Sequence, residues 1–259
     1  MKGHMPNLTD TFDVLGVRVS ALNLDKAAGL IAGMISRRER GYVCVAPVST
    51  VVDARRSPAY REVLNGASLI TPDGMPLVWL GRRQGFRDVH RTYGPDLMMT
   101  LCKAGEGRGW RHFFYGGSEE VCARLSARLR EECPDVQIAG AIAPPYIPKA
   151  GQLSAEVAAA INAARPDILW VGLGSPKQDY WLALNRQLLD VPVMIGIGAA
   201  FDFHAGVKPQ APLWMQRSGL EWLFRLSCEP GRLWKRYLVG NSLFLWWMFC
   251  GLFSRRPRN

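Results

Sequence analysis

Residues 167–181, DILWVGLGSPKQDYW, pass from an unbroken apolar run into glycines, a Ser-Pro pair and a polar helical turn. An apolar run without polar alternation predicts a strand covered on both faces, the kind found in parallel sheets packed between helices. Gly172 and Gly174 let backbone N–H groups approach a ligand. The helix starting at Lys177 and Gln178 turns the positive end of its dipole the same way. Further along, PVMIGIGAAFDFHAG repeats the arrangement, with Gly198 and Asp202 beyond the strand. Two such strand ends side by side predict one crevice suited to an anion or a nucleotide.

The rest of the chain alternates in the same way. Apolar runs at 42–48, 67–71, 111–115, 136–141 and 193–197 read as strands. Helical patterns are expected over 49–64 with Ser49 as N-cap, 75–81, from Pro95 onward, 119–132, 154–164 and 178–189. This predicts an α/β fold with a Rossmann-like, mainly parallel sheet and helices on both faces. The special sequences Pro72-Asp73-Gly74, Gly116-Gly117-Ser118, 172–178 and 198–204 all fall at strand carboxyl ends, where such sheets bind ligands.

After Gly206 the character changes, and a division into an α/β catalytic domain (1–210) and a basic, Trp-rich helical appendage (211–259) is expected. From Arg217 onward eight Lys and Arg face two acids, so this segment carries six of the ten net positive charges of the 259-residue chain. Residues 212–226 and 230–253 read as helices. The stretch 238–253 falls short of the roughly 20 apolar residues that cross a bilayer. Trp, Phe and Leu beside Arg and Lys suit a helix lying on an anionic membrane, so a C-terminal membrane-associating appendage is predicted; an ordinary core or dimer helix is the alternative. Nucleic acid is disfavoured, because the cations accompany an apolar tail rather than a polar groove. Six cysteines show no CxxC spacing, which points to buried free thiols and a reducing compartment. The N-terminus lacks an apolar secretory region, and a cytoplasmic location is expected.

Neither Gly172-x-Gly174 nor Gly196-x-Gly198 completes G-x-G-x-x-G, since Lys177 and Phe201 stand at the third place. That disfavours a nicotinamide-dependent oxidoreductase. Asp73 reads either as a turn aspartate or as a general base whose pKa burial raises. Asp202 suits a ribose or sugar hydroxyl, Asp96 a helix first turn, and His204 a hydrogen bond rather than a ligand. No D-x-D occurs and no metal-ligand constellation appears. The cations offered to a diphosphate are Lys177, Arg91 and the C-terminal arginines, and a metal-free site without cofactor is expected.

TPDGMPLVW (71–79), YGPDLM (93–98), FFYGGS (113–118), VGLGSPKQDYW (171–181), GIGAAFDFHAG (196–206) and APLWMQRSGLEWLFRL (211–226) follow in order. Together they resemble the WecG/TagA/CpsF family of bacterial glycosyltransferases, over roughly Val14 to Tyr237. The resemblance implies an inverting, metal-independent transfer of a hexose-type sugar from a UDP-sugar to a polyprenyl-diphosphate-linked saccharide at the cytoplasmic face of the membrane. It implies Asp73 as base and Gln178 as an active-site residue. It sets Tyr115, Gly116, Gly117, Gly198 and Asp202 near the UDP, and Arg217 and Arg225 at the lipid diphosphate or membrane. The reading of strand ends and charge adds Gly172, Gly174, Lys177, Ser49 and Arg91 for the substrate and Arg232 for the lipid diphosphate or membrane. One departure stands out: Pro47 occupies a place where the family commonly carries Asn, and Ser49 or Thr50 is expected to take over its contacts. A homo-oligomer is compatible if the tail helices pack between subunits. A membrane-bound adaptor that binds nucleotide without catalysis is the other alternative.

Overall fold

The computed structural model describes residues 8–146 and 149–254. An N-terminal hairpin, β1 (Thr11–Val14) and β2 (Val17–Ser20), turns on Leu15 and Gly16. Both residues have positive φ, which matches the twist of the paired strands. Then come α1 (Leu24–Ser36), β3 (Gly41–Ala46), α2 (Val48–Arg56), α3 (Pro58–Asn65), β4 (Leu69–Pro72) and α4 (Met75–Arg83). A connection over 84–93 leads to α5 (Gly94–Glu106), β5 (Arg111–Gly116), α6 (Glu119–Glu132), β6 (Gln137–Ile142), α7 (Ala155–Ala163) and β7 (Ile168–Gly172). The body closes with α8 (Lys177–Asn185), β8 (Val193–Gly196) and α9 (Ala200–His204). The C-terminal helices are α10 (Leu213–Arg217), α11 (Glu221–Cys228), α12 (Pro230–Trp234), a π-helical turn (Lys235–Val239) and α13 (Gly240–Ser254).

Strands β3 to β8 form one six-stranded sheet in the order β4-β3-β8-β7-β5-β6, every pairing parallel. The two-residue period of a strand divides its apolar side chains between two cores. Tyr42, Cys44, Tyr115, Val171 and Met194 face one side, with side chains of α2, α3, α4 and α8. Val43, Val45, Phe114, Trp170 and Ile195 face the other, with α1, α5, α6 and α9. Burial on both faces is why these strands read as continuous apolar runs. The chain leaves β3 outward to β4 and leaves β5 outward to β6, and β7 and β8 fill the gap between. The carboxyl ends of β3, β8 and β7 therefore border a crevice at a reversal of strand order, the position where open α/β sheets bind ligands.

Two expected helices are each broken in two. The helix over 49–64 stops at Ser57, because Pro58 lacks an N–H and drives the preceding residue into extended backbone (φ −128°, ψ 102°). Ser57 then caps α3, its Oγ accepting from the Tyr60 N–H at 3.3 Å. The cap of α2 is Pro47 and makes no side-chain bond. Ser49 is therefore not a cap; its Oγ accepts from Arg236 Nε at 2.8 Å instead. The helix over 212–226 breaks at Gly219, whose φ of +78° suits glycine. A Cβ there would lie 3.3 Å from both Met75 and Trp79, so the break presses α10 and α11 onto α4. The helix expected over 178–189 ends earlier, at Asn185.

Leu233 and Phe244 are buried, and Phe244 joins the core beside α2. The C-terminal helices thus lie directly on the α/β body. Among the described residues no helix is long and apolar enough to cross a membrane. Arg255, Arg256 and Arg258, counted in the basic tail, lie outside the described residues. Cys44, Cys102, Cys122 and Cys133 are buried free thiols as expected, whereas Cys228 is exposed.

Candidate active site

Asp73 follows the last residue of β4. Its N–H donates to the Ala46 carbonyl at 3.2 Å, and the Thr92 N–H donates to the Pro72 carbonyl at 2.8 Å. Neighbouring β3 and the segment returning to α5 thereby fix the turn. The residue stands in the wall between two cavities. One, of about 250 Å³, is polar and lies over the ends of β3, β7 and β8, with Lys208, Arg225, Arg232 and Arg236 at its side. The other, of about 510 Å³, is apolar and lies between α4 and the C-terminal helices, lined by Met75, Trp79, Trp222, Phe244 and Leu245. Pro47, Asp73 and Arg225 line both. Burial pushes the Asp73 carboxyl up to about 6; the Arg91 guanidinium holds it back, and the Glu221 carboxylate adds to the rise.

Arg91 reaches this wall from the 84–93 connection. Its Nε donates to the Asp73 carbonyl at 2.5 Å and its Nη1 to Gln216 Oε1 at 3.3 Å. Nη2 meets Asp73 Oδ1 at 3.3 Å and also pairs with Glu221 at the start of α11. The guanidinium lies 4.0 Å from the centroid of the Tyr93 ring.

On the other side of the polar cavity the glycine loops come together because β7 and β8 are paired neighbours. Gly116, at φ +128°, backs onto Gly172 so closely that a Cβ would fall 2.6 Å from the Gly172 carbonyl oxygen. Gln178 is 2% exposed and holds the loop after β7 in shape. Its Oε1 accepts from the Gly174 N–H at 3.1 Å, and its Nε2 donates to Ser175 Oγ at 3.2 Å. Next to it, fully buried Asp179 accepts from Tyr60 Oη at 2.5 Å and ties α8 to α3.

A family model for the "Glycosyl transferase WecG/TagA/CpsF family" matches residues 12–258. The chain belongs to this family. The N-acetylglucosaminyldiphosphoundecaprenol N-acetyl-beta-D-mannosaminyltransferase of Bacillus spizizenii is 31% identical over 204 residues, 79% of this chain and 77% of the relative. Its namesake in Bacillus subtilis is 35% identical over 179 residues, 69% of this chain and 68% of the relative. The Staphylococcus aureus protein of the same name is 28% identical over 198 residues, 75% and 73% of the two chains. The chain is a glycosyltransferase.

As a WecG/TagA/CpsF protein, it brings most of the residues singled out in its sequence to one place. Asp73, Gly117, Gly172, Gly174, Gln178, Gly198 and Asp202 line the polar cavity, as do Arg225 and Arg232. Asp202 is paired with Lys208 at 3.0 Å. Ser49 and Arg91 line the apolar cavity. Four residues fall elsewhere. Gly116 lies outside the lining of both cavities, packed against Gly172. Tyr115 is buried beneath the loops, its ring stacked on Trp181 at 4.6 Å, because its face of β5 looks into the core that also holds Phe113, Val171 and Trp181. Lys177 points into a neighbouring hollow at the ends of β5 to β7, with its ammonium 5.0 Å from the Tyr146 ring centroid. Arg217 ends α10 on the exposed surface, outside the lining of both cavities. His204 bonds the Pro95 carbonyl at 3.0 Å, in keeping with its expected structural role.

Sequence reasoning missed Lys208, Gln216, Glu221 and Arg236. A signal for Arg236 exists: with Arg225 and Arg232 it recurs at spacings of seven and four, one face of a helical segment. Glu221 and Arg225, four apart in GLEWLFRL, carry a similar hint. Gln216 and Lys208 carry none. Among the described residues no group of three His, Cys, Asp or Glu side chains is arranged to hold a metal ion.

Proposed function

We propose that this glycosyltransferase moves a sugar from a UDP-sugar to a polyprenyl-diphosphate-linked saccharide, by a single inverting displacement that needs no metal ion, at the cytoplasmic face of the membrane. The observation that carries the reading is Asp73 in the wall shared by a polar, cation-sided cavity and an apolar one. A nucleotide diphosphate suits the first, with its charge met by backbone N–H groups of the glycine loops and by Arg225, Arg232 and Arg236. A lipid-linked acceptor suits the second. The names of the relatives extend this to N-acetylmannosamine as donor sugar and to an N-acetylglucosamine-diphosphate lipid as acceptor.

In this mechanism Asp73 takes the proton of an acceptor hydroxyl. The hydroxyl oxygen bonds to the anomeric carbon from the face opposite the diphosphate, and the bond to UDP breaks with its electron pair passing to the diphosphate oxygen. A carboxyl pushed up to about 6 suits the task, being ionised at neutral pH yet basic enough to accept a proton. The guanidinium groups of the C-terminal helices offset the charge that develops on UDP.

The test is a panel of radiolabelled UDP-sugars, UDP-N-acetylmannosamine first, incubated with acceptor lipid and read for label in the lipid phase. Label must enter the lipid, and the rate must survive exhaustive chelation. Label confined to the aqueous phase with every donor and acceptor lipid overturns the reaction. A rate abolished by chelation and restored by magnesium overturns the metal-independent mechanism.

A further inference from the structure

One nitrogen, Arg91 Nη2, serves two carboxylates that come from different parts of the fold. Asp73, at 3.3 Å, belongs to the loop after β4 in the α/β body. Glu221, the nearer of the two, opens α11 in the C-terminal helices. The remaining donors of the guanidinium are also engaged. Nε holds the Asp73 backbone carbonyl, and Nη1 reaches Gln216 on α10. Tyr93 lies beneath the guanidinium plane. The group is thus drawn toward α10 and α11 by two side chains and held to the turn of Asp73 by its Nε. The side chains of Arg91, Asp73 and Glu221 are between 13% and 18% exposed, so water screens the arrangement little.

A carboxylate paired squarely with one arginine is a weak base, because the pairing favours its charged form. Sharing the arginine with a second carboxylate loosens that hold, and the second negative charge works in the same direction. We propose that Glu221 is a positioning residue for the base: by drawing Arg91 toward α11 it leaves Asp73 able to accept a proton. The inference rests on the assignment of Asp73 as base.

The polar cavity that Asp73 lines also holds Asp202, Lys208, Arg232 and Arg236. The groups with a direct electrostatic influence on Asp73 or from it come from three elements. Arg91 and Tyr93 come from the connection between α4 and α5, Glu221 and Arg225 from α11, and Tyr237 from the π-helical turn. Burial pushes both tyrosines up, so they stay neutral at neutral and acidic pH. The arginines stay charged. Glu221 is the acid in the set. The direction of its effect on Asp73 is upward, opposed by Arg91 and Arg225.

Glu221→Gln keeps the shape and the hydrogen bond to Arg91 while removing the charge. The primary measurement is the carboxyl 13C resonance of Asp73 in aspartate-labelled protein, assigned by its loss in Asp73→Asn and followed from pH 4 to 8. In Glu221→Gln its midpoint must fall, by about one pH unit if the acidic neighbour acts as placed. The second measurement is transfer. Glu221→Gln must lower kcat about threefold at neutral pH with the donor KM unchanged, and the acid limb of the rate profile must move to lower pH. Glu221→Asp must restore most of both. A midpoint that stays or rises in Glu221→Gln overturns the inference, as does a kcat loss that comes with an unmoved acid limb, the signature of a mere strut. The midpoint is read on the protein alone, so absence of transfer in the wild type bears on the proposed reaction, whereas an unmoved midpoint bears on Glu221.

Discussion

Asp73 combines three circumstances that each move a carboxyl: burial, a guanidinium within hydrogen-bond reach and a second carboxylate behind it. The raising influences win, which separates Asp73 from the exposed acids of the molecule. With its carboxyl pushed up to about 6, Asp73 in the proposed role of base would lose its ionised form as pH falls through that value. The expected pH profile of kcat/KM is therefore flat above neutrality. Below about 6 it declines tenfold per pH unit, as for one ionisation. Asp73→Asn is expected to lower turnover by about 10²–10⁴-fold while UDP affinity, measured calorimetrically, stays unchanged. Turnover near that of the wild type would remove Asp73 from the role of base. Gln178 makes a different case. Its amide is engaged by Gly174 and Ser175, so Gln178→Ala strips a buried loop of its brace, with an expected loss of about 1–3 kcal/mol in chemical unfolding and a higher donor KM. Asp73 and Gln178 are legible in the sequence because each sits in a local pattern, T-P-D-G or S-P-K-Q, whose strand-end position is itself legible. Glu221 carries only the hint of its spacing from Arg225; its meaning at the site arises when a residue 130 positions away in sequence, Arg91, is brought against it.

At the level of elements, the strands and their order of alternation with helices follow from the apolar runs. The strand boundaries predicted at 111–115 and 193–197 lie within a residue of β5 and β8, and α6 begins and ends where expected, with Ser118 as its cap. The failures share a cause. Both broken helices have a continuous apolar period across the break, and periodicity outweighed the local veto of Ser57-Pro58 and of Gly219. The hairpin β1–β2 is absent from the sequence reading although its alternation is regular, because Leu15-Gly16 is a weak turn signal beside Asn-Gly or Asp-Gly. The two glycine-ended runs predict β7 beside β8, but the full order of the sheet depends on which strands the crossovers skip, and composition does not record that. The close seat of Gly116 on Gly172 gives the sheet end its shape. Gly116→Ala meets both a φ of +128° and a carbonyl at 2.6 Å, so an expected loss of about 2 kcal/mol or more should appear as a lowered thermal midpoint. A variant as stable as the wild type would mean that the loop shifts freely and does not fix the crevice.

Across the whole molecule, many of the exposed large apolar side chains belong to α4 and the C-terminal helices, the elements that enclose the apolar cavity. Trp79 on α4, Trp214 on α10, and Leu245 and Trp246 on α13 are each more than half exposed, and Trp79 and Leu245 also line the cavity. Exposed Arg82, Arg83, Arg87 and Lys235 lie close in sequence to these groups. A water-facing surface has little reason to collect large apolar side chains beside cations, whereas the headgroup layer of an anionic bilayer accommodates both. We propose that α4 of the body, and not the C-terminal helices alone, forms the membrane face; a lipid-linked acceptor would then enter the apolar cavity without leaving the bilayer and meet Asp73 at its far wall. Co-flotation with vesicles containing phosphatidylglycerol measures this directly. The wild type should float, and raised salt should weaken the binding, since Debye screening shrinks the electrostatic share but leaves the apolar one. Leu245→Glu with Trp246→Glu should abolish flotation, and Trp79→Glu should reduce it by about tenfold, a carboxylate in the interface being costly. UDP affinity should hold in all of these variants, because the glycine loops and the polar cavity lie on the other side of Asp73. Flotation of Trp79→Glu equal to the wild type would confine membrane contact to the C-terminal helices, and the acceptor would then have to approach the cavity from the side of α13 alone.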